Sequence, residues 1–564
     1  MTSKNTVFGI DLGTTYSAIA YVDEYDIPRV VNNMENTSTT PSVVYFESST
    51  NVIVGQASLQ SGRVDPKNYV ELIKRSMGNP DHRLYLHGEE LRPEQISALI
   101  LGKLKKDTEE ALASQKITVR DVVITVPAYF DAARRTATEQ AGQLAGLNVL
   151  GIIPEPTAAA IAYAATDEDD QTFIVYDLGG GTFDVTVMKV EGSSVEVLGI
   201  EGNHDLGGRN WDEAVVNWLA LQWQEQTASP EEDPLNDMET SQELFTSAEE
   251  AKRSLSRLKV KEVPLKVVHA GLKTKGISLT RDKFNELTAD RLELTISLTK
   301  QAIANAGHPK IDRILLVGGS SYMPQVQERL QSEFPDIEQA LFNPDQCVAL
   351  GAAIYANNKQ IRNIWENTLK ERYGEKKAED IITGKHAILP EEQSKVHAAV
   401  AHTLPGATHD QIAAAVNTRI TNASSKNFGI QVLNELDQPY IEYLIKRNTQ
   451  VPATNQQQFY TQHPNQSTVE IKIFEADGKT PPSDPTHAGC VLMKDFELDL
   501  PPGMPKSHPI DVAFSLSEDG GRLRIEAEDK INGLKLDEII QTTGALMPEE
   551  LDEMKKAGLK ISIN

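Results

Sequence analysis

Two stretches of this chain follow one plan. VFGIDLGTTYSAIAYV occupies residues 7–22 and VYDLGGGTFDVTVMKV occupies residues 175–190. Each is an apolar run, then Asp-Leu-Gly, then a small polar cluster containing Thr, then a second apolar run. Gly13-Thr14-Thr15 predicts one tight hairpin, and Gly179-Gly180-Gly181 with Thr182 predicts the other. Glycines let backbone N–H groups close around a bulky anion, and threonine hydroxyls add donors. A carboxylate beside such a turn, as Asp11, Asp177 and Asp184 are here, suits Mg²⁺, which keeps most of its waters. One such turn alone is an ordinary hairpin. Two, with matching Asp and Thr, predict facing grips on a polyphosphate.

A third glycine turn follows an apolar run at LLVGGSSYMP, residues 315–324. The chain has no G-x-x-x-x-G-K-[ST], so a P-loop is excluded. Duplicated grips separated by helical segments imply two related α/β lobes with a nucleotide between them. The 564 residues suggest three or four structural units, at roughly 150 residues each. A formal charge of −26 argues against nucleic acid and anionic lipid as main partners, because phosphate surfaces need clustered cations. No apolar run reaches the 18 or so residues that cross a bilayer, so no membrane partner is expected. The short apolar stretch before Asp11 is no secretory signal, and two cysteines, Cys347 and Cys490, build neither a disulfide framework nor a zinc site. A reducing cytoplasm is the expected location.

Further motifs carry a resemblance. GIDLGTTYS, VVITVPAYF (122–130), EPTAAAIAY (155–163), VYDLGGGTFDVTV, EEAKRSLS (249–256), LLVGGSSYMPQVQ and NPDQCVALGAA (343–353) stand in order across residues 5–357. Together they resemble the ATPase domain of the 70-kilodalton heat-shock, DnaK-type, chaperone family. That resemblance implies an actin/sugar-kinase-like, two-lobed ATPase domain in which each lobe supplies one grip, with ATP or ADP and Mg²⁺ as cofactors. It implies that Asp11, Glu155 and Asp177 organise Mg²⁺ through its waters. Lys74 orients the attacking water, with Thr182 and Asp184 beside it. Positioning and charge compensation are what phosphoryl transfer needs. Gly13, Thr14, Thr15, Tyr16, Gly179, Gly180, Gly181, Gly207 and Gly208 match the phosphate-side loops. Glu249, Lys252, Arg253 and Ser256 match the adenosine pocket, and their i, i+3, i+4, i+7 spacing puts them on one helix face. Gly318, Gly319, Ser320, Tyr322 and Asp345 complete the set; where the family stacks a second arginine on adenine, this chain has Tyr322. Pro127 and Arg135 match residues that relay the nucleotide state outward.

Downstream, TVEIKIF (468–474), DVAFSLS (511–517) and GRLRIEAED (521–529) alternate as strands, with EDGG (518–521) as a turn. This resembles the family's substrate-binding β-sandwich, with Ile430, Leu433, Phe459, Val469 and Ile471 at peptide-contact positions and Gln462 in place of a small apolar residue. The expected organisation is an ATPase domain at 1–358, a helical insert at 359–426, a β-sandwich at 427–540 and a short helical tail at 541–564 in place of a lid. Helix-spaced Ile361, Ile364, Trp365 and Leu369 open the insert; EEQSKVHAAVAHTL (391–404) and HDQIAAAVNTRI (409–420) continue it, broken at Pro390, Pro405 and Gly406. His397 and His402, at i, i+5, are off one another's face, which argues for solvated histidines over a metal site. The family's leucine-rich linker is missing here, so weak coupling between nucleotide and peptide is expected.

The leading reading is an ATP-hydrolysing chaperone that transiently binds extended apolar segments of unfolded proteins, with a J-domain co-chaperone and an exchange factor as implied partners. A nucleotide-sensing scaffold with one dedicated partner stands beside it, and a small-molecule kinase leaves the sandwich without a role.

Overall fold

A computed structural model describes residues 6–166, 170–192, 194–404, 406–517, 520–540, 546–558 and 560–564. Glu518 and Asp519 of the expected EDGG turn, and Pro405, lie outside the described residues.

In the first lobe, strand Val7–Asp11 pairs antiparallel with Tyr16–Val22 and parallel with Asp121–Val126. In the second, Gln171–Leu178 pairs antiparallel with Phe183–Glu191 and parallel with Arg313–Val317. Both lobes therefore set a hairpin beside a parallel strand, which is the duplication the sequence announces. The continuous run Asp121–Val126 is buried at every residue, as a strand covered on both faces must be.

Two helices, Glu155–Ala164 and Cys347–Tyr373, fill the space between the two sheets. Their small residues permit backbone contact. A β-carbon on Gly351 would stand 1.7 Å from the carbonyl oxygen of Ala158, and one on Gly9 would stand 2.1 Å from the amide nitrogen of Ala353.

Helix Cys347–Tyr373 runs unbroken past residue 358. Its distal half joins helices Glu375–Ile382, Pro390–Thr403 and His409–Asn417 around a small core of Ile361, Trp365, Leu369, Val396, Val400 and Ile412. His397 is a correction: only 1% exposed, it meets His409 with the two rings tilted at 50° and the Nδ1 atoms 3.3 Å apart. Helix periodicity within one segment could not bring together partners from two helices.

The segment read as helical to residue 420 leaves the helix at Asn417, where β-branched Thr418, Ile420 and Thr421 favour extended backbone. Strand Arg419–Ala423 then pairs in parallel with the edge of Ser194–Asn203, and Gln450–Val451 pairs with it in turn. The seven-stranded sheet of the second lobe thus ends in strands contributed from downstream. A paired strand stands where the sequence lacks the family's leucine-rich linker.

The sandwich consists of two four-stranded sheets, ordered 439–445, 427–433, 468–476, 490–499 and 453–460, 509–516, 523–529, 534–539. Strict alternation buries every second residue of Pro509–Leu516.

Candidate nucleotide site

The two hairpin turns meet. A β-carbon on Gly180 would lie 2.2 Å from the Oγ1 of Thr15, and one on Gly181 would lie 2.2 Å from the Cγ2 of Thr14. Only glycine lets these loops approach so closely. Behind them lies a cavity of about 470 Å³, within the range of small-molecule sites. Asp11, Gly13, Thr14, Thr15, Tyr16, Lys74, Glu155, Asp177, Gly179, Gly180 and Thr182 line one part of it. Glu249, Lys252, Arg253, Ser256, Gly318, Gly319, Ser320, Tyr322 and Asp345 line the rest. Gly181, Gly207, Gly208 and Asp184 stand just behind this wall. Gly208 donates its N–H to the Gly179 carbonyl at 2.9 Å, and Ser320 Oγ donates to the same oxygen at 2.9 Å.

Local geometry aims each side chain. Leu72 sits at φ +58°, uncommon for a bulky residue, and turns the chain into the short helix Ile73–Ser76. That turn buries Lys74, 4% exposed, in an ion pair with Glu155, the first residue of its helix. Asp177 and Asp184 face each other across the second hairpin. Burial, then the charge of Glu155, pushes the Asp11 carboxyl up to about 7 and that of Asp184 up to about 8. Asp177 is raised by the same two causes, helped by Asp184 and Asp11. Oδ1 of Asp184 is buried without a hydrogen-bond partner among the described residues. Four acidic side chains share one buried lysine, and repulsion among them adds to burial in raising the three aspartates.

On the opposite wall, Lys252 donates to the Gly208 carbonyl at 2.9 Å and pairs with buried Asp212 at 2.7 Å. Arg253 pairs with Glu249 at 2.9 Å and lies 4.9 Å from the Tyr16 ring centre. Tyr322 is 42% exposed, and burial together with the nearby Asp345 charge raises its phenol. Ser256, expected in the pocket, spends its hydroxyl on the Lys252 carbonyl at 2.9 Å.

Several participants escaped sequence reasoning. Arg75 reaches across the cleft to the Gly181 carbonyl at 2.8 Å and to Asn210 at 3.1 Å. Arg209 of the second lobe pairs with Glu71 of the first at 2.7 Å. Asp212 also lines the cavity. The adjacency of Arg75 to Lys74 was the one available signal.

Pro127 is buried, and Arg135, 6% exposed, donates to the Phe130 carbonyl at 2.9 Å. The five apolar sandwich positions divide. Ile430 and Ile471 are in the core, Phe459 and Val469 pack at its margin, and Leu433 is 43% exposed.

A two-lobed cleft with paired glycine turns, an acidic cluster and one buried lysine defines an ATPase of the actin-like class. The Hsp70 protein family model matches residues 7–83, 80–363 and 411–562. The chaperone protein DnaK from each of two strains of Halobacterium salinarum is 34% identical over 560 residues, covering 98% of this chain and 78% of the relative. The chain belongs to the Hsp70 family, and it is an ATP-dependent chaperone that hydrolyses ATP. No described helix is long and apolar enough to cross a membrane.

Proposed function

We propose that ATP or ADP binds in the 470 Å³ cleft with its phosphates between the Gly13–Thr15 and Gly179–Thr182 turns and Mg²⁺ beside Asp11, Glu155 and Asp177. Among the described residues, no three acidic, histidine or cysteine side chains converge to ligate a metal directly. That suits Mg²⁺, which holds several waters and binds through them. The raised acids and the orphaned Oδ1 of Asp184 fit a bound dication and an ordered water. When bound, Mg²⁺ supplies charge neutralisation on the phosphates. Lys74 would offset charge developing on the transferred group, and Asp184 would accept a hydrogen bond from the attacking water.

Lys252, Glu249 and Arg253 hold the nucleoside, with Tyr322 stacking where the family carries arginine. The β-sandwich takes extended apolar segments of unfolded polypeptides, working with a J-domain co-chaperone and an exchange factor. Helices within 364–410, a stretch the family model leaves unmatched, form an insert between the ATPase domain and the sandwich. Strand Arg419–Ala423 serves as the interdomain linker.

The contact of the two glycine turns carries the site reading. Its test is Lys74→Ala, expected to lower ATP turnover at least 100-fold while calorimetric binding of Mg·ADP persists. Unchanged turnover would remove Lys74 from its role.

A further inference from the structure

The strand Asn51–Val54 of the first lobe is paired on one side with Val44–Ser48. Its other edge would present free N–H and C=O groups, an open template for a further strand. Residues 562–563 fill it. Ser562 aligns with Asn51 and Ile563 with Val52, in parallel. Ser562 donates its N–H to Thr50 at 2.8 Å and Asn564 to Val52 at 2.9 Å, while Val54 donates to Asn564 at 3.2 Å.

Side chains make the fit directional. Ile561 and Ile563 turn inward against the lobe's apolar core, whereas Ser562 and Asn564 are exposed. The helix Pro93–Ala111 has Gly102 at this point. A β-carbon there would stand 2.7 Å from Cδ1 of Ile563 and would have no other neighbour within 4 Å. Lys106, one turn on, donates to the Ile563 carbonyl at 2.8 Å.

The segment leading here is anchored at its start as well. Gln140 donates to the Leu546 carbonyl at 2.8 Å and accepts from its N–H at 3.0 Å, with Leu546 4% exposed. Between these anchors, helix Pro548–Gly558 lies along helix Ala132–Leu144 and buries no residue completely. The two ends hold it. The acceptor strand continues through Gly55 into helix Gln56–Val64, whose Leu59 lines the nucleotide cavity.

We propose that the free edge of Asn51–Val54, with its notch over Gly102, is a strand-acceptor site on the first lobe. Its occupant is the chain's own Lys560–Asn564, and the pair latches the β-sandwich to that lobe. The ligand it selects is a parallel strand with apolar side chains at alternate positions. With Arg419–Ala423 added to the second lobe's sheet, the sandwich is bracketed by one strand on each lobe.

The test uses the full chain and two opposed variants. Gly102→Leu fills the notch with a good helix former, so the lobe keeps its fold. Ile561→Asp/Ile563→Asp unseats the strand from its own side. Amide hydrogen exchange of Val54, Ser562 and Asn564 is expected to be slow in the parent and about tenfold faster or more in both variants. A peptide of residues 556–564 added to the Asp variant is expected to restore Val54 protection, and to fail with Gly102→Leu. Equal exchange at Val54 in parent and variants would overturn the proposal. Parent protection that appears only as concentration drives dimerisation would overturn it too, by assigning the occupant to a second copy.

Discussion

Arg447 of the β-sandwich donates to Glu201 of the second lobe at 2.9 Å, and each side chain is only 7% exposed. The same guanidinium donates to the Ile200 carbonyl at 3.1 Å and stands 4.7 Å from the ring centre of Tyr129. Burial raises the Asp184 carboxyl, and the backbone N–H of Tyr129 works against that rise. Arg447 and Tyr129 thus lie between the β-sandwich and the surroundings of Asp184.

Removing one member of a buried ion pair strands the other charge at about 3–5 kcal/mol. Arg447→Met is therefore expected to shift the docked arrangement toward separation by roughly 100-fold or more. Basal ATP turnover should stay within about twofold, because Arg447 touches no cavity atom. Whatever stimulation of turnover an apolar peptide gives in the parent should vanish. Steady-state assays with and without peptide decide it: several-fold stimulation surviving in Arg447→Met would exclude this route.

Much of the site was legible because phosphate grips are local in sequence. Asp11 and its turn, or Asp177 and its turn, are each written within a few residues, and glycine is forced there by sterics. The sandwich strands were legible for the same reason, since alternation is a local signal. What failed was whatever two distant segments build together. Arg447 and Glu201 meet across a domain interface, His397 and His409 across two helices, and Ile563 and Gly102 across most of the chain. The strand at Arg419–Ala423 was hidden because its partner, an open sheet edge, exists only after folding.

Acidity gives a second expectation. Asp11 and Asp184 carry folded values of about 7 and about 8, well above the unfolded carboxylate value near 3.9. The empty folded chain thus binds more protons than the unfolded one, so these groups cost stability as pH rises from about 4 through about 8. Mg²⁺ favours the ionised forms and reverses that preference. Affinity for Mg·ADP should rise about tenfold or more between pH 6 and pH 8.5. Calorimetry in buffers of different ionisation heat should show proton release on binding near neutral pH. A flat affinity profile without proton release would detach these carboxyls from the metal.

Gly351→Ala sets helix propensity against packing. In an exposed helix the change would stabilise by about 1 kcal/mol. Here the new methyl carbon meets the Ala158 carbonyl at 1.7 Å, within the contact that seats helix Glu155–Ala164. Overpacking costs about 1–3 kcal/mol and more where backbone must move. A lower Tm and weaker nucleotide binding are expected together, because Glu155 heads the displaced helix. Thermal scans with and without Mg·ADP check both, and an unchanged or raised Tm would contradict the packing argument.

Tyr322 offers the sharpest test of the base pocket. Its ring lines the cavity at 42% exposure, beside Asp345, and offers a face against which a base can lie. Stacking of a base on an aromatic side chain is worth about 1–3 kcal/mol. Tyr322→Ala should therefore weaken ATP binding roughly tenfold or more. Tyr322→Phe should retain most of the affinity, because the ring remains. Turnover at saturating ATP should change little in either, since in the proposed binding mode the reacting phosphate lies beside Lys74. A Phe variant as weak as Ala would shift the role from the ring to the hydroxyl, and an Ala variant that binds ATP normally would place the base elsewhere.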